Sequence, residues 1–313
     1  MNDRVLVTGG GGFIGGHLVA GLLARSRRVT VLDNFVTGRR ESLAGLRGDL
    51  EVVEGSVADP DHVARAMRSV GAVAHLAALP SVPRSIERPL DTHHACATGT
   101  LQVLVGALQQ RARVVYAGSS SAYGDQEARY KAETMREDPL SPYAAAKLAG
   151  ELYCRSFGRV HALPVMVTRF FNVFGPRQTA DSPYSGVVAA FCRALLLGRS
   201  PRIDGDGLQS RDFTYVEDVV DGVILALDAD TRGCEVVNLA YGESCTVLQL
   251  FERLRTLAGR TSVQPVHAPP RPGDVRHSLA DVARAKSLLG FHPKVGFAEG
   301  LSRTYSWYRS QHA

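Results

Sequence analysis

Cysteine, tryptophan and long apolar runs are all scarce in this sequence. Its 313 residues include 5 cysteines and 1 tryptophan, and the cysteines are scattered without C-x-x-C spacing. This argues against a disulfide framework or a zinc site and predicts reduced thiols in a cytoplasmic protein. The 10 histidines show no H-x-x-x-H pairing, so no metal site is expected. No apolar run reaches the ~18 residues of a membrane span, and no signal peptide is expected before the first strand.

Blocks of positive charge are missing as well. The net charge is +5, but the arginines are dispersed singly, so neither nucleic acid nor a membrane surface is predicted as a partner. A small polyanion such as a nucleotide diphosphate fits this balance better. The hydrophobic fraction of 45% is enough for a substantial core in one or two domains.

Short apolar runs alternate with helical segments over the first half of the chain. Six of these runs are near-continuously apolar, as in a parallel sheet that is buried on both faces. Strands that alternate with helices predict an α/β fold, with a Rossmann-type doubly wound parallel sheet. The predicted strands span residues 4–8, 28–33, 50–54, 72–76, 113–118 and 164–169.

The pattern changes after about residue 178, where Pro- and Gly-rich pieces separate shorter elements. We therefore predict a first domain over residues 1–178 and a smaller C-terminal α/β domain over residues 179–313. Residues from about 212 to 240 have the pattern of another helix and strand. We expect this segment to return to the first domain.

The first predicted strand runs directly into the glycine-rich stretch "TGGGGFIGGHL". Gly9, Gly12 and Gly15 have the spacing G-x-x-G-x-x-G, and a helix follows. Such glycines permit a tight turn, close approach of the backbone to a pyrophosphate, and close packing of helix on strand. The second strand ends at Asp33, where a carboxylate accepts the adenosine ribose hydroxyls and repels a 2′-phosphate. The pattern predicts NAD, rather than NADP, as the cofactor.

The stretch "SPYAAAK" places Tyr143 and Lys147 four residues apart on a predicted helix, and therefore on one face of it. A neighbouring ammonium is expected to lower the pKa of the tyrosine below its ordinary value of ~10, so that the phenol can act as a base. The fifth strand leads into three serines that begin at Ser119. They follow the carboxyl end of a parallel strand, where open α/β sheets hold ligands. The three residue types together predict proton transfer at a hydroxyl group.

These motifs, in this order, resemble the extended short-chain dehydrogenase/reductases. The resemblance is carried by "TGGGGFIG", "HLAA", "SSSAYG", "SPYAAAK", "RFFNVFGP", "RDFTYVEDVV" and "RPGDVRHSLAD", and it covers essentially the whole chain. Within that family the sequence is most similar to the nucleotide-sugar 4-epimerases that act on UDP-N-acetylhexosamines, through "SVPRSIERPLD" and "GDVRHSLADVARAKSLLGFHPK". The C-terminal domain is then expected to bind the nucleotide sugar.

The resemblance implies a role for individual residues. Ser119, with Ser120 beside it, takes the catalytic serine position, Tyr143 that of the base, and Lys147 that of its partner. The positions expected to contact the dinucleotide are Gly9, Gly12, Phe13, Ile14, Gly15, Asp33, Asn34, Gly38, Ser56, Val57, Leu76, Ala77, Ala78, Tyr143, Lys147 and Phe170. Those expected on the UDP-sugar side are Ser81, Arg84, Ser119, Tyr143, Asn172, Val187, Val188, Arg211, Arg271, Asp274 and Ser278.

Three positions depart from the family pattern. Ser56 replaces the acid expected beside adenine, Cys96 stands where an active-site asparagine is common, and Pro80 stands where some relatives have a cofactor-contacting lysine. The resemblance also implies that the position four residues after Asp274, here Ser278, borders the sugar C2 substituent. A small side chain there would leave room for an acetamido group, whereas a tyrosine would restrict the pocket to plain hexoses.

The resemblance implies transient oxidation at C4 of a UDP-sugar. Tyr143 would remove the C4 hydroxyl proton while hydride passes to NAD⁺, and the resulting 4-keto sugar would take the hydride back on its other face. UDP-GlcNAc and UDP-GalNAc are the expected substrates, with UDP-glucose or UDP-glucuronate 4-epimerisation as alternatives.

Two other readings stay open. A sugar dehydratase is disfavoured because "SSSAYG" lacks the Asp-Glu pair of that class. A dinucleotide-sensing regulator is disfavoured because such proteins commonly lose the tyrosine or the lysine, and this chain has both. A homodimer is expected.

Overall fold

Strands alternate with helices along the computed structural model, which describes residues 3–180, 185–271 and 273–311. The strands are β1 (Arg4–Thr8), β2 (Arg28–Asp33), β3 (Leu50–Glu54), β4 (Ala72–His75), β5 (Arg113–Ser119), β6 (Val165–Phe170), β7 (Asn172–Phe174), β8 (Arg202–Asp204), β9 (Ser210–Tyr215), β10 (Cys234–Leu239), β11 (Ser244–Thr246), β12 (Val266–Ala268) and β13 (His277–Ser278). The helices are α1 (Phe13–Ala24), α2 (Pro60–Ala66), α3 (Val82–Glu87), α4 (Pro89–His93), α5 (Gly99–Gln110), α6 (Pro142–His161), α7 (Val187–Leu196), α8 (Val216–Asp228), α9 (Val247–Leu257), α10 (Ala283–Leu289) and α11 (Phe297–Ser310). A π-helical turn, His94–Thr98, leads into α5. No helix in the described ranges is both long and apolar enough to cross a bilayer.

Seven parallel strands form the large sheet, in the order β10-β6-β5-β4-β1-β2-β3. The strand order reverses between β1 and β4, as in doubly wound folds, which bind ligands outside the carboxyl ends of the strands at such a point. The predicted fold class is confirmed. All six predicted strands are present, and β10 adds a seventh.

Helices cover both faces of this sheet because its strands are apolar on both sides. On one face α1 and α8 bury Leu18, Leu22 and Val219 against β1 and β2. On the other face α2, α5 and α6 bury Val63 and Leu104, among others, against β1, β4 and β5. Apolar area removed from water on two faces is the main stabilising term for such a sheet.

The expectation that each predicted strand is buried on both faces is wrong for the third strand, β3. In β3 only Val53 is buried, and Val52 is 44% exposed. The physical reason is its position, since β3 is the outermost strand of the sheet beside β2.

A small sheet lies beyond the carboxyl ends of the large one. Strand β9 is its centre and pairs with β7, β11 and β13, while α7, α9 and α11 pack around it on Phe191, Phe251 and Leu301. Of the segment from about 212 to 240, α8 and β10 lie against the large sheet, and β9 does not. In turn, β7 lies in the small sheet although it precedes residue 178.

Candidate active site

Two connected pockets lie between the large and the small sheet. The larger has a volume of about 490 Å³ and runs along the glycine-rich turn. The smaller has a volume of about 220 Å³ and lies toward β9 and β13. They share a wall formed by Ser119, Phe170, Phe171 and Asn172. One ligand in the larger pocket and a second in the smaller pocket would therefore meet at this junction.

The glycine-rich turn between β1 and α1 admits no side chain at its tightest point. Gly9 has φ +72°, and a Cβ on Gly15 would lie 2.0 Å from the Gly9 carbonyl oxygen. The turn therefore brings the backbone of Gly9 and Gly12 to the wall of the larger pocket, where α1 begins. A helix N-terminus with free N–H groups is suited to phosphate.

Asp33 ties this turn to the end of β2. Its carboxylate accepts the backbone N–H groups of Gly11 and Phe35, both at 2.8 Å. It is 8% exposed and still lines the larger pocket. Each oxygen keeps a lone pair for a further donor, as the expected pairing with ribose hydroxyls requires.

Most of the residues expected to contact the dinucleotide line the larger pocket. Gly38, Ser56 and Val57 are not among its lining residues, although Gly55 is. Pro80 lines it, whereas Cys96 is fully buried behind Ala95. The lining residues that sequence reasoning missed are Thr37, Gly55, Leu79, Pro80, Ala95, Ala117, Gly118, Phe171, Val173, Gln178, Thr179, Ser185 and Gly186. Ala117 and Gly118 lie in β5, Phe171 and Val173 lie in the stretch "RFFNVFGP", and the others come from loops and from the π-helical turn.

Helix α6 presents Tyr143 and Lys147 to the larger pocket. The helix begins at Pro142, and the Ser141 hydroxyl caps it by accepting the Ala144 N–H at 3.2 Å. This explains the "SPY" start, because serine at the cap and proline in the first turn both favour a helix N-terminus. The i to i+4 spacing then places both side chains on the face toward β5.

Ser119 ends β5 and meets Tyr143 across the junction of the pockets. Both residues line the larger pocket, and the Ser119 hydroxyl lies 2.8 Å from the Ser121 hydroxyl. Ser119 lines both pockets, whereas Ser120 lines only the smaller one.

The acidity expected of Tyr143 is not observed. Burial raises the pKa of the Tyr143 phenol, the Cys96 thiol acts in the same direction, and the Ser119 hydrogen bond acts against both. Burial also lowers the pKa of Lys147, whose ammonium lies 4.3 Å from the centre of the Tyr116 ring. The expectation from spacing alone was therefore wrong in direction, because it left out the cost of a charged phenolate in a low-dielectric site.

A buried histidine supports this face of the sheet. The Thr100 hydroxyl donates to the Cys96 carbonyl at 2.6 Å, so its oxygen accepts from His75 Nε2 at 2.9 Å. His75 Nδ1 is then unprotonated and accepts from the Thr8 hydroxyl at 2.7 Å. Burial lowers the pKa of His75 to about 3, with the Lys147 ammonium in the same direction. The imidazole is thus a neutral strut between β1, β4 and α5, a role that "HLAA" did not reveal.

An ion pair without solvent exposure fastens α6 to β6. The Arg169 guanidinium donates to both carboxylate oxygens of Glu151, at 3.0 and 2.7 Å, and their side chains are 0% and 1% exposed. Glu151 lies one helical turn after Lys147 on α6. Fixing this turn holds the catalytic face of the helix in place, and loss of one partner would leave a buried charge unpaired.

Charged side chains surround the smaller pocket. Arg211 of β9 pairs with Asp274 at 2.5 Å, and Arg211 and Ser278 are neighbours in the β9–β13 register. Arg271 pairs with Asp204 at the end of β8. Both arginines expected to hold a diphosphate are therefore already in contact with carboxylates.

The residues expected on the UDP-sugar side do not all line the smaller pocket. Ser119, Asn172, Arg211, Asp274 and Ser278 do, whereas Tyr143 lines the larger one. The others lie elsewhere: Ser81 caps α3, Arg84 lies within α3, Val187 and Val188 begin α7, and Arg271 makes its pair with Asp204. Val188 is 2% exposed and belongs to the core of the small sheet.

The sequence pattern of the NAD dependent epimerase/dehydratase family matches residues 5–240, about three quarters of the chain. The chain belongs to this family.

Known members of the family match nearly the whole length of the chain. The UDP-glucose 4-epimerase of Mycolicibacterium smegmatis is 36% identical over 313 residues, which cover 98% of this chain and 99% of that protein. The UDP-N-acetyl-alpha-D-glucosaminuronate decarboxylase of Bacillus cytotoxicus is 31% identical and covers 99% of this chain and 98% of its own. The solved structure of UDP-N-acetylglucosamine 4-epimerase from Methanobrevibacter ruminantium M1, in complex with UDP-N-acetylmuramic acid, has a TM-score of 0.93 at 37% identity and covers 99% of each chain.

The larger pocket of this epimerase/dehydratase fits the NAD that the family uses. The glycine turn leaves a cradle that a Cβ at Gly9 or Gly15 would fill, and the Asp33 carboxylate stands at the end of β2. In the described ranges, no group of three or more His, Cys, Asp or Glu side chains is placed to hold a metal ion.

Proposed function

We propose that this chain is a UDP-sugar 4-epimerase that interconverts UDP-GlcNAc and UDP-GalNAc through a 4-keto sugar. The observation that carries the proposal is that Ser119, Tyr143 and Lys147 all line the larger pocket where it joins the smaller one, with Tyr143 and Lys147 on one face of α6. The names of the relatives, UDP-glucose 4-epimerase and UDP-N-acetylglucosamine 4-epimerase, support the same reaction type.

The reaction needs a base and an oriented hydroxyl at the sugar C4. Bound NAD⁺ supplies a hydride acceptor that returns the same hydride, so there is no net oxidation. Tyr143 takes the C4 hydroxyl proton and later gives it back, and Ser119 orients the reacting oxygen through its hydroxyl. Lys147, buried to 3% exposure on the same face, places a positive charge beside the oxygen that becomes negative.

The size of the smaller pocket supports acetamido sugars. Ser278 is 8% exposed and lines this pocket beside Arg211. A serine here occupies little volume, so a C2 acetamido group can be accommodated. Plain UDP-hexoses are then weaker substrates, because they leave part of the pocket unfilled.

A dehydratase reaction needs acid and base side chains that the three-serine segment after β5 does not have. A dehydratase needs an acid and a base for elimination, but the segment after β5 carries three hydroxyls. The first carboxylate beyond it, Asp125, accepts the backbone N–H of Arg276 at 2.9 Å. A non-enzymatic regulator would not need the paired tyrosine and lysine.

Incubation of the purified protein with single UDP-sugars tests the proposal. Proton NMR of the products reports the configuration at C4, and we expect UDP-GlcNAc and UDP-GalNAc to approach one equilibrium mixture from both sides. Loss of water or of C6 would contradict it. A preference for UDP-glucose or UDP-glucuronate would also contradict it, as would binding of NAD without turnover.

We also propose a homodimer. Helices α4, α5 and α6 lie side by side on one face of the large sheet, and apolar side chains on them are exposed: Leu90 is 72% exposed, Leu152 51% and Val160 69%. A second copy would remove this surface from water. Light scattering after gel filtration should give twice the chain mass, and Leu152→Glu should halve it, whereas a monomeric wild type would contradict the proposal.

A cytoplasmic location is proposed from the cysteines. All five are unpaired thiols in the structure, and Cys96, Cys154 and Cys192 are buried. An oxidising compartment favours disulfides, whereas free buried thiols are typical of a reducing one. Fractionation of cells that produce the protein should place it with cytoplasmic enzymes, and recovery from an extracellular fraction would contradict this.

A further inference from the structure

The ammonium of Lys147 carries a charge that no ion pair balances. Lys147 is 3% exposed and lines the larger pocket. Among the residues that the structure describes, no carboxylate lies within ion-pair distance of this ammonium, and Glu151, one turn later on α6, pairs with Arg155 and Arg169. A buried cation is costly unless other groups compensate it. The group that faces this one is the Tyr116 ring, whose centre lies 4.3 Å from the ammonium.

Tyr116 holds Lys147 at two points. Its hydroxyl donates to the Lys147 carbonyl at 2.8 Å, while its ring lies against the ammonium of the same residue. This approach requires a glycine at position 150 of α6, because a Cβ on Gly150 would lie 2.4 Å from the Tyr116 hydroxyl oxygen. Tyr116 lies on β5, the strand that ends at Ser119. It therefore ties the lysine to the strand that supplies the serine of the site.

The Tyr116 ring is itself held in place and uncharged. It is 0% exposed, its carbonyl accepts from the Thr168 hydroxyl at 3.1 Å, and its ring centre lies 5.7 Å from that of His75. Burial raises the pKa of the Tyr116 phenol well above its ordinary value and lowers the pKa of His75 to about 3. Both groups are therefore neutral at pH 7, and no second cation stands behind the ring to repel the ammonium.

The charge of Lys147 is sensitive to what surrounds it. Burial lowers the pKa of this ammonium, because a low-dielectric site penalises the charged form. An aromatic face stabilises a cation most strongly where water is excluded. The other titratable groups near the ammonium are His75 of β4, Cys96 of the π-helical turn, and Tyr143, Glu151 and Cys154 of α6. Of these, Cys96, Cys154 and Glu151 raise the pKa of Lys147 and so act against burial.

We infer that Tyr116 is a positioning residue for the reaction: its ring face keeps the Lys147 ammonium charged and in place on the face of α6 that carries Tyr143. This inference rests on the proposed 4-epimerase function. A ring suits the task better than a carboxylate, because a carboxylate would pair with the ammonium and cancel its field at the reacting oxygen. The quadrupole of a ring stabilises the cation without neutralising it.

Tyr116→Phe and Tyr116→Met form a matched pair that tests this inference. Both variants lose the hydroxyl and its bond to the Lys147 carbonyl, and both side chains fill most of the space, but only phenylalanine keeps an aromatic face. Tyr116→Leu, which also lacks a ring, repeats the comparison if thermal unfolding shows that methionine disrupts the fold. The full chain is used throughout, with NAD bound.

The first measurement is the pKa of Lys147, followed by NMR with lysine labelled with ¹³C at Cε. The spectrum is simple, because the lysines of the chain are Lys131, Lys147, Lys286 and Lys294, and the signal that is lost in Lys147→Met identifies Lys147. We expect Tyr116→Met to lower the pKa of Lys147 by about one pH unit or more, a tenfold weaker affinity for the proton. Tyr116→Phe should keep this pKa within about 0.3 of the wild-type value, because the ring remains.

The second measurement is kcat for the proposed epimerisation as a function of pH. As the pH rises through the lowered pKa of Lys147, Tyr116→Met loses the positive charge, so its kcat should fall about tenfold relative to wild type at pH 8.5 and less at pH 6.5. KM should stay within about twofold, and Tyr116→Phe should keep kcat within about threefold at both pH values. A merely structural role would lower kcat by one factor at every pH.

Three outcomes would overturn the inference. It is wrong if both variants shift the pKa of Lys147 equally, because the hydroxyl and not the ring would then be responsible. It is wrong if neither variant shifts that pKa, and also if kcat of Tyr116→Met falls by one factor across the pH range. If the wild type epimerises no UDP-sugar, the proposed function fails, whereas the titration of Lys147 still decides what the Tyr116 ring does.

Discussion

The two pockets differ in the kinds of groups that line them. The larger one includes a backbone cradle, with Gly9 and Gly15 in a turn that no side chain could enter, and with Asp33 holding that turn through two backbone N–H groups. The smaller one is formed by charged side chains from separate segments, such as Arg211 with Asp274. The glycine turn and Asp33 lie within one strand–turn–helix–strand unit, whereas Arg211 and Asp274 are more than 60 positions apart.

This difference shows how the protein separates binding of the cofactor from recognition of the sugar. The dinucleotide is common to the family, so its binding requires one backbone conformation, that of the glycine turn. Side-chain substitutions elsewhere leave this conformation unchanged. A sugar that differs among relatives needs groups that can be exchanged one at a time. We therefore expect substitutions in the larger pocket to change cofactor content, and those in the smaller pocket to change which substrate is used.

The largest effect is expected where the two pockets meet. Tyr143→Phe removes the base and should lower kcat by a factor of about 10² to 10⁴, the scale of a lost general base, while NAD content stays nearly unchanged. Steady-state kinetics and the absorbance of released cofactor measure the two quantities. Near-normal epimerisation by this variant would exclude Tyr143 as the base.

Selectivity should respond most strongly at Ser278. Because a tyrosine would fill the space for an acetamido group, Ser278→Tyr should lower kcat/KM for UDP-GlcNAc relative to UDP-glucose by about 100-fold, as expected for a steric exclusion. Ser278→Ala is the control, because alanine is also small, and it should keep the wild-type ratio of the two kcat/KM values. Equal losses on both sugars would show that Ser278 does not border the C2 group.

The backbone character of the larger pocket can be tested at Gly15. Its Cβ would lie 2.0 Å from the Gly9 carbonyl oxygen, so Gly15→Ala must shift the turn. NAD affinity should fall by about 30-fold, within the range of the cost of overpacking a rigid site. Gly16→Ala is the matched control, since the nearest atom to its Cβ outside the helix would be the Ser42 Cβ, at 3.3 Å. Equal NAD affinity in the two variants would contradict the proposed role of the glycine turn in binding the cofactor.

The side-chain character of the smaller pocket can be tested at Arg211. Arg211→Met should raise KM for UDP-sugars about tenfold through loss of a charge-assisted contact to phosphate, without a change in NAD content. Arg276→Met is the matched control, because Arg276 makes an exposed pair with Asp206 and is not among the lining residues. A similar KM increase in both variants would indicate a general effect of charge.

The pH dependence reports the raised pKa of Tyr143. A phenol whose pKa lies above its ordinary value is protonated at neutral pH, and the fraction available as a base increases with pH. The value of kcat/KM should therefore rise between pH 6.5 and 9.5, by at most about tenfold per pH unit. A profile that is flat or falling over this range would show that the pKa of Tyr143 is not raised in the enzyme before substrate binds.

Much of the larger pocket could be predicted from sequence because its signals are local. Gly9, Gly12, Gly15 and Asp33 lie within one strand–turn–helix–strand unit, and all four line the pocket. The same holds for the shared face of Tyr143 and Lys147, which helical spacing alone places together. The direction of the Tyr143 pKa shift was not predictable, because spacing reports a neighbour and not the burial around it.

In the smaller pocket, sequence reasoning named residues without their partners. Arg211, Arg271 and Asp274 were expected from motifs, but the pairing of Arg211 with Asp274 and of Arg271 with Asp204 of β8 appears only once those segments are brought together. Val187 and Val188 were assigned to the sugar side, and the structure places them at the start of α7, with Val188 in the core. Motif position alone carries no information about which way a helix turns its side chains.

By itself, the sequence determined the doubly wound sheet, the glycine turn and the Tyr143–Lys147 pair, because apolar periodicity, absent side chains and helical spacing act over a few residues. Only the tertiary structure decided that Ser119 meets Tyr143, that Arg169 and Glu151 are sealed together, and that the Tyr116 ring lies against the Lys147 ammonium. These contacts depend on packing between distant segments and on the low dielectric that this packing creates, and no local pattern encodes either one.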